Sequence, residues 1–219
     1  MTPARDTALR QSIIDGCLWM KNSGLNQGTS GNISVRYGDG MLITPSGVPY
    51  EKMRPDMLCF MPLEGEPDLS GDIRPSTEWR FHQSILHSKP DVTAVVHAHP
   101  VHATAIAVQR RPIPACHYMI AAFGGNDVPL VDYALFGSDA LARMVADAMA
   151  ERTGCIMANH GAVVAGESLD RALWRMEELD NLARVYLLAL STGTPEILTD
   201  AQMEEVVAAF GNYGPKDMD

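Results

Sequence analysis

The stretch Val95-Val96-His97-Ala98-His99 sets two imidazoles two residues apart in a run of β-favouring apolar residues. Side chains alternate across a strand, so His97 and His99 are expected on one face, where two ring nitrogens can converge on one ion. A third histidine, His160, follows the apolar run Ile156-Met157-Ala158-Asn159, and a carboxylate, Glu78, follows Pro75-Ser76-Thr77. Three histidines and one carboxylate are ligands that zinc accepts, with bonds of about 2.0–2.2 Å. A lone histidine in an apolar run is ordinarily a core residue. Two on one face fit that role poorly, because burial desolvates two polar rings. The spacing therefore reads as metalloenzyme chemistry. Other metal-site patterns also begin His-x-His; one hydrolase pattern continues with Asp-His, whereas Pro100-Val101-His102 follows here.

Polar loops could gather around such an ion. Gly28-Thr29-Ser30-Gly31-Asn32 offers hydroxyls, an amide and backbone donors, and Ser46-Gly47 offers more. Ser76-Thr77 reads as the opening of a helix, where unpaired N–H groups favour an anion. A phosphate held there would adjoin Glu78. Small polar residues ordinarily serve turns and caps, so each loop alone is weak, and no Walker lysine pattern is present.

These groups need elements to carry them. Leu9, Ile13, Cys17 and Met20 recur at helical spacing, predicting a helix over 6–22. Ile33 to Tyr37 and Met41 to Ile43 predict a hairpin across Gly38-Asp39-Gly40. A short strand over 57–61 follows, then a helix over 76–87. Strands are expected over 92–99, 128–131, 155–158 and 162–165. Helices are expected over 102–108, from about Leu141 to Gly154, from Ser168 to Gly193, and from Thr199 to Phe210. Residues 116–122 are apolar and ambiguous. Without a regular βαβ rhythm, the pattern predicts an α/β fold: a central, mostly antiparallel sheet flanked by helices, in one domain over residues 1–219.

The 219 residues carry a formal net charge of -10, which argues against a nucleic-acid surface, and 46% are hydrophobic, enough for a sizeable core. No run approaches the roughly 20 apolar residues of a membrane span, and the first residues show no apolar signal core. Cys17, Cys59, Cys116 and Cys155 form no Cys-x-x-Cys pair. Three of the four sit in apolar stretches and read as small core residues in a reducing compartment, so a cytoplasmic enzyme is expected.

Seven segments appear together in order: Gly24–Asn32 (GLNQGTSGN), Leu42–Gly47 (LITPSG), Pro75–His82 (PSTEWRFH), Val95–His99 (VVHAH), His117–Ala122 (HYMIAA), Tyr133–Gly137 (YALFG) and Asn159–Gly161 (NHG). With them the chain resembles the class II, metal-dependent aldolases of the L-fuculose-1-phosphate type, in the aldolase, epimerase and adducin-head superfamily. The resemblance implies a three-layer α/β/α fold and one divalent metal per subunit, zinc first and manganese or cobalt next, on Glu78, His97, His99 and His160. It implies phosphate contacts from Thr29, Asn32, Ser46, Gly47, Ser76 and Thr77. It implies a catalytic Tyr118 reaching a neighbouring subunit's site in a homotetramer of C4 symmetry. Phe136, Phe210 and Tyr213 would line the aldehyde end. Asn159 stands where one relative has histidine, and the tail after Tyr213 follows no family pattern.

The implied reaction cleaves a ketose 1-phosphate to dihydroxyacetone phosphate and an aldehyde. Candidate substrates are L-fuculose 1-phosphate and the 5-deoxyribulose and 5-methylthioribulose 1-phosphates. The metal would carry the enediolate charge, so no Schiff-base lysine is needed, and none lies in the core motifs. Glu78 is expected to fill the fourth metal position at rest, to move a proton once displaced, and to have its pKa raised by a partly closed apolar site. His82, His87 and His102 read as structural, with support of the metal site from behind as the alternative for His82, which shares a helix with Glu78. A pentulose-5-phosphate 4-epimerase and a methylthioribulose-1-phosphate dehydratase share the metal histidines and stay as alternatives. A non-catalytic, adducin-like module would have no need of the ligand set.

Overall fold

The computed structural model describes residues 3–210. Its chain order is α1 (Pro3–Asn22), β1 (Asn32–Tyr37), β2 (Gly40–Ile43), β3 (Cys59–Pro62), α2 (Trp79–Ser88), β4 (Ala94–Ala98), α3 (Val101–Val108), β5 (Ile113–Pro114), β6 (Asp127–Val128), β7 (Leu130–Val131), α4 (Asp139–Ala148), β8 (Gly154–Met157), β9 (Gly161–Gly166), α5 (Leu169–Thr192) and α6 (Asp200–Phe210). Seven strands form one sheet in the order β3-β2-β1-β4-β9-β8-β7. Every neighbouring pair is antiparallel except β7–β8. The expected mostly antiparallel sheet between helices is what the chain forms.

Alternation along the strands sorts the core into two halves. Ile33, Val35, Val96, Ala98, Ala162 and Val164 pack on one face with α1, α3 and α5. Val95, Met41, Ile43, Cys155 and Val163 pack on the other with α2 and α4. This is a three-layer α/β/α arrangement. Among the described residues no helix is long and apolar enough to cross a membrane.

Helix α2 lies along β1 on three polar rungs. Asn32 meets Glu78, Ser34 meets His82, and the Arg36 guanidinium donates to the Leu86 carbonyl. Two residues of strand advance about 6.7 Å and four residues of helix about 6.0 Å, so steps of two on β1 match steps of four on α2. This match lets one strand face hold Glu78 and His82 in register.

Most boundaries shift by a residue or a few from expectation, and three changes have a clear physical cause. Helix α2 begins at Trp79, not Ser76, and Glu78 is its N-cap residue without a side-chain cap. The Ser76 N–H donates to the Thr44 carbonyl and Pro45 bridges Pro75, which ties Ser76 to the exit of β2 and keeps it out of the helix. The expected 128–131 strand is two pieces split at Pro129, which has no N–H to give a ladder. Its first half pairs with β5 and its second with β8. Helix α4 stops at Ala148, and Gly154 opens β8 instead, packed so closely that a Cβ there would lie 2.9 Å from Phe123. The ambiguous 116–122 stretch becomes a 3-10 helix, Tyr118–Phe123, closed by Gly124 at φ 87°. Asp180 on α5 accepts from the N–H groups of His102 and Ala103 and from His102 Nδ1, so it caps α3, whose own N-cap is Pro100.

Candidate metal centre

His97 lies one residue before the end of the inner strand β4, paired with Asn32 on one side and Val163 on the other. Its Nδ1–H donates to the Ala162 carbonyl at 2.8 Å, which turns Nε2 toward the cavity. His99 lies just past the strand, yet its Nε2 stands 3.0 Å from His97 Nε2. The expected convergence of His-x-His is therefore present. His160 enters from the turn between β8 and β9, where Asn159 takes φ 55°. The three rings stand edge to face, with centroids 4.8, 4.9 and 5.0 Å apart.

Glu78 completes the cluster. Its Oε2 lies 3.1 Å from His97 Nε2 and its Oε1 3.1 Å from His160 Nε2. The second contact lacks hydrogen-bond geometry, so the buried Oε1 has no donor. Ring lone pairs and a carboxylate crowded together would repel one another; a cation between them satisfies all at once. The ligand atoms of His97, His99 and His160 lie within 4.8 Å of one another, so the trio could hold a metal ion. The residues present fit a divalent cation.

The electrostatics correct one expectation. Burial would raise the Glu78 pKa, but the adjacent His97 and His160 outweigh it and hold the carboxyl below its usual range. Glu78 is thus an ionised base at rest. Burial and the neighbouring His97 and His160 push His99 down to about 3, leaving a neutral ring. For His97, burial is more than offset by Glu78, and its pKa is raised.

A pocket of about 390 Å³ opens over the cluster. Thr29, Asn32, Ser46, Gly47, Ser76 and Thr77 all line it, together with Glu78, His99 and His160. Gly47 takes φ 70°, as the tight loop after β2 requires. Phe136 lines the rim beside Tyr133, both more than half exposed. His97 does not line the pocket and lies fully buried behind His99 and Glu78. Tyr118 is not brought in: it is 52% exposed on its 3-10 helix and does not line this pocket. Phe210 ends α6, but its side chain and all of Tyr213 lie outside the described residues.

Two supports carry no role in the sequence reading. Buried Asn26 accepts from the His99 N–H and donates to the Tyr50 hydroxyl, which donates to the Gly31 carbonyl. Together they pin the glycine-rich loop to the metal strand. Gly31 permits this, since a Cβ there would lie 2.9 Å from both Asn26 and the His97 carbonyl. The usable signal was a polar Asn26 directly after Leu25, where the chain turns back into the core.

Residues 11–187 match the family model for the class II aldolase and adducin N-terminal domain. The chain is 46% identical over 207 residues to the L-fuculose phosphate aldolase of Escherichia coli (strain K12), spanning 94% of this chain and 95% of that protein. It is 45% identical over 212 residues to a 5-methylthioribulose-1-phosphate/5-deoxyribulose-1-phosphate aldolase of Rhodospirillum rubrum, spanning 97% and 95%. A solved structure of an L-fuculose 1-phosphate aldolase superposes with a TM-score of 0.89 at 34% identity, covering 94% of this chain and 97% of that one. With the three histidines and the carboxylate gathered under a hydroxyl-lined pocket, these likenesses place the chain in the class II aldolase and adducin family.

Proposed function

We propose that the protein cleaves a ketose 1-phosphate reversibly to dihydroxyacetone phosphate and an aldehyde, with residues 1–219 acting as one catalytic domain. The observation that carries this is the buried Glu78 between the histidine trio and the hydroxyl-lined wall of the pocket. Thr29, Ser46, Gly47, Ser76 and Thr77 hold the phosphate. Asn32 serves from the wall, because its side-chain amide is engaged by Glu78 and the Ser30 carbonyl. His97, His99, His160 and Glu78 hold the divalent metal, with zinc favoured by the nitrogen-rich set and manganese or cobalt compatible with it. When bound, the metal supplies Lewis-acid stabilisation of the enediolate's negative charge. Glu78 moves the proton at the enediolate carbon. Phe136 and Tyr133 present apolar surface to the aldehyde end, a rim suited to a methyl or thioether substituent, with Phe210 and Tyr213 completing it.

Tyr118 manages the proton on the oxygen that becomes the aldehyde, acting on a neighbouring subunit of a C4 homotetramer. Its exposure, away from its own chain's pocket, supports that arrangement. Replacing Tyr118 with Phe is expected to lower turnover by about 10²-fold while leaving the oligomer intact. Steady-state kinetics and light scattering on the same sample check this; equal loss of assembly and activity would make Tyr118 an interface residue only. A cytoplasmic setting is supported by four free cysteines.

The deciding experiment assays metal-stripped protein, reloaded with zinc, manganese or cobalt, against a panel of ketose 1-phosphates. Dihydroxyacetone phosphate is read through a coupled reductase. Appearance of an isomerised sugar with no NADH consumed would reject the aldolase in favour of an epimerase.

A further inference from the structure

Behind Glu78 and Asn32 lie two buried polar side chains, Ser34 and His82, that the reaction just described does not use. Asn32, Ser34, His82 and Glu78 are all buried, Ser34 and His82 completely. Hydrogen-bond chemistry fixes the direction of every link between them. Asn32 Nδ2 lies 3.0 Å from Glu78 Oε2 and 3.4 Å from the Ser30 carbonyl. Both partners only accept, so the amide NH2 faces them. Asn32 Oδ1 therefore faces His82 Nε2, which carries the ring proton. That leaves His82 Nδ1 a bare acceptor, and the Ser34 hydroxyl donates to it across 2.8 Å. Burial, aided by His97, pushes the His82 pKa down to about 3, so the ring is neutral. The donors run one way: Ser34 to His82, His82 to Asn32, Asn32 to Glu78.

We propose that Ser34 and His82 are positioning residues, which act through the Asn32 amide to hold the Glu78 carboxylate in the orientation from which it moves the substrate proton. This rests on the role given to Glu78 above. The row passes no proton, since a neutral amide NH2 has none to hand on. Its work is orientational. An asparagine amide can turn over with little change of shape, and only its partners choose which end faces Glu78. With the His82 N–H gone, the Asn32 Oδ1 loses its donor, and the amide is held only from its NH2 side, by Glu78 itself and the longer contact to the Ser30 carbonyl. The amide, and with it the carboxylate it holds, then has freedom to leave the productive orientation, and an acceptor is left unpaired in a dry site. Ser34 acts one step further out, by making the Nε2–H tautomer of His82 the favoured one. The strand-to-helix rungs explain why these residues are available: Asn32 and Ser34 share one face of β1, and Glu78 and His82 share one face of α2.

The test is a double-mutant cycle on the metal-loaded enzyme. His82→Leu should lower kcat about tenfold and Ser34→Ala about threefold, with KM for the ketose 1-phosphate and metal stoichiometry within about twofold of wild type. His82→Gln, which keeps a donor for Asn32, should recover most of the loss. In a Glu78→Gln background the same His82 and Ser34 substitutions should change kcat by less than about twofold, because the group they orient no longer works. Nitrogen-15 spectra of labelled histidine should show His82 as the Nε2–H tautomer. Losses of full size persisting in the Glu78→Gln background, unchanged kcat in the single variants, or an Nδ1–H tautomer would each overturn the proposal. Should His82→Leu fail to fold, the Ser34→Ala cycle and the tautomer decide it alone. Wild-type turnover in Glu78→Gln itself is a separate result, which removes the reading of Glu78 rather than the orienting row.

Discussion

Glu78→Gln should keep the fold and the metal while turnover falls by about 10²-fold or more, the usual size of a lost general acid–base group. The substitution changes one oxygen for a nitrogen. The histidine trio does not depend on it, since His97 is oriented by the Ala162 carbonyl and the backbone of His99 by Asn26. What vanishes is an ionised carboxylate, held ionised because His97 and His160 outweigh its burial. The loss should fall on kcat, with KM little changed, because the hydroxyls and backbone groups assigned to the phosphate keep their places in the near-isosteric variant. Metal analysis and single-turnover cleavage on one preparation check it. Full turnover with stoichiometric metal would strike Glu78 from proton transfer.

Gly161→Ala should damage the site through sterics alone. A Cβ at this position would stand 2.5 Å from the His99 ring and 2.6 Å from the Ala98 carbonyl, closer than carbon atoms approach. The carbonyl belongs to a strand in the middle of the sheet and cannot yield, so the ring must leave. Overpacking of this kind costs about 1–3 kcal/mol, or about 2–4 °C of melting temperature per kcal/mol in a chain of this size. Losing one of three histidine ligands should also leave the protein substoichiometric in metal and nearly inactive. Calorimetry with metal analysis reads both effects. A variant with full metal and full activity would show that His99 does not need the close approach.

The histidine pair was legible in the sequence because strand periodicity needs no tertiary information: residues two apart share a face wherever the strand lies. The sheet and most helices were legible for the same reason. Elements failed where a partner overrode local preference. Ser76-Thr77 has the composition of a helix cap, but the Ser76 N–H is taken by the Thr44 carbonyl and the helix starts at Trp79. Residues 128–131 look like one strand until Pro129 divides them between two sheets. Glu78 was readable through its neighbours and the family resemblance, whereas its charge state was not, because that depends on rings contributed by residues 97 and 160. The row behind it was hidden for a related reason. It joins a period of two on one segment to a period of four on another, 46 positions away between Asn32 and Glu78. The available hint was Asn32-Ile33-Ser34-Val35-Arg36, which alternates polar and apolar residues although both faces of β1 are covered.

The division between a rigid metal cluster and an exposed rim sets what can vary in this architecture. The cluster hangs on interior strands, where His97 is fully buried and every neighbour is fixed by pairing on both sides. The rim at the aldehyde end consists of Tyr133 and Phe136, which face solvent. Exchanging rim side chains can therefore retune substrate choice without rebuilding the reaction centre, so one scaffold can accommodate sugars that differ at the far end from the bond being broken.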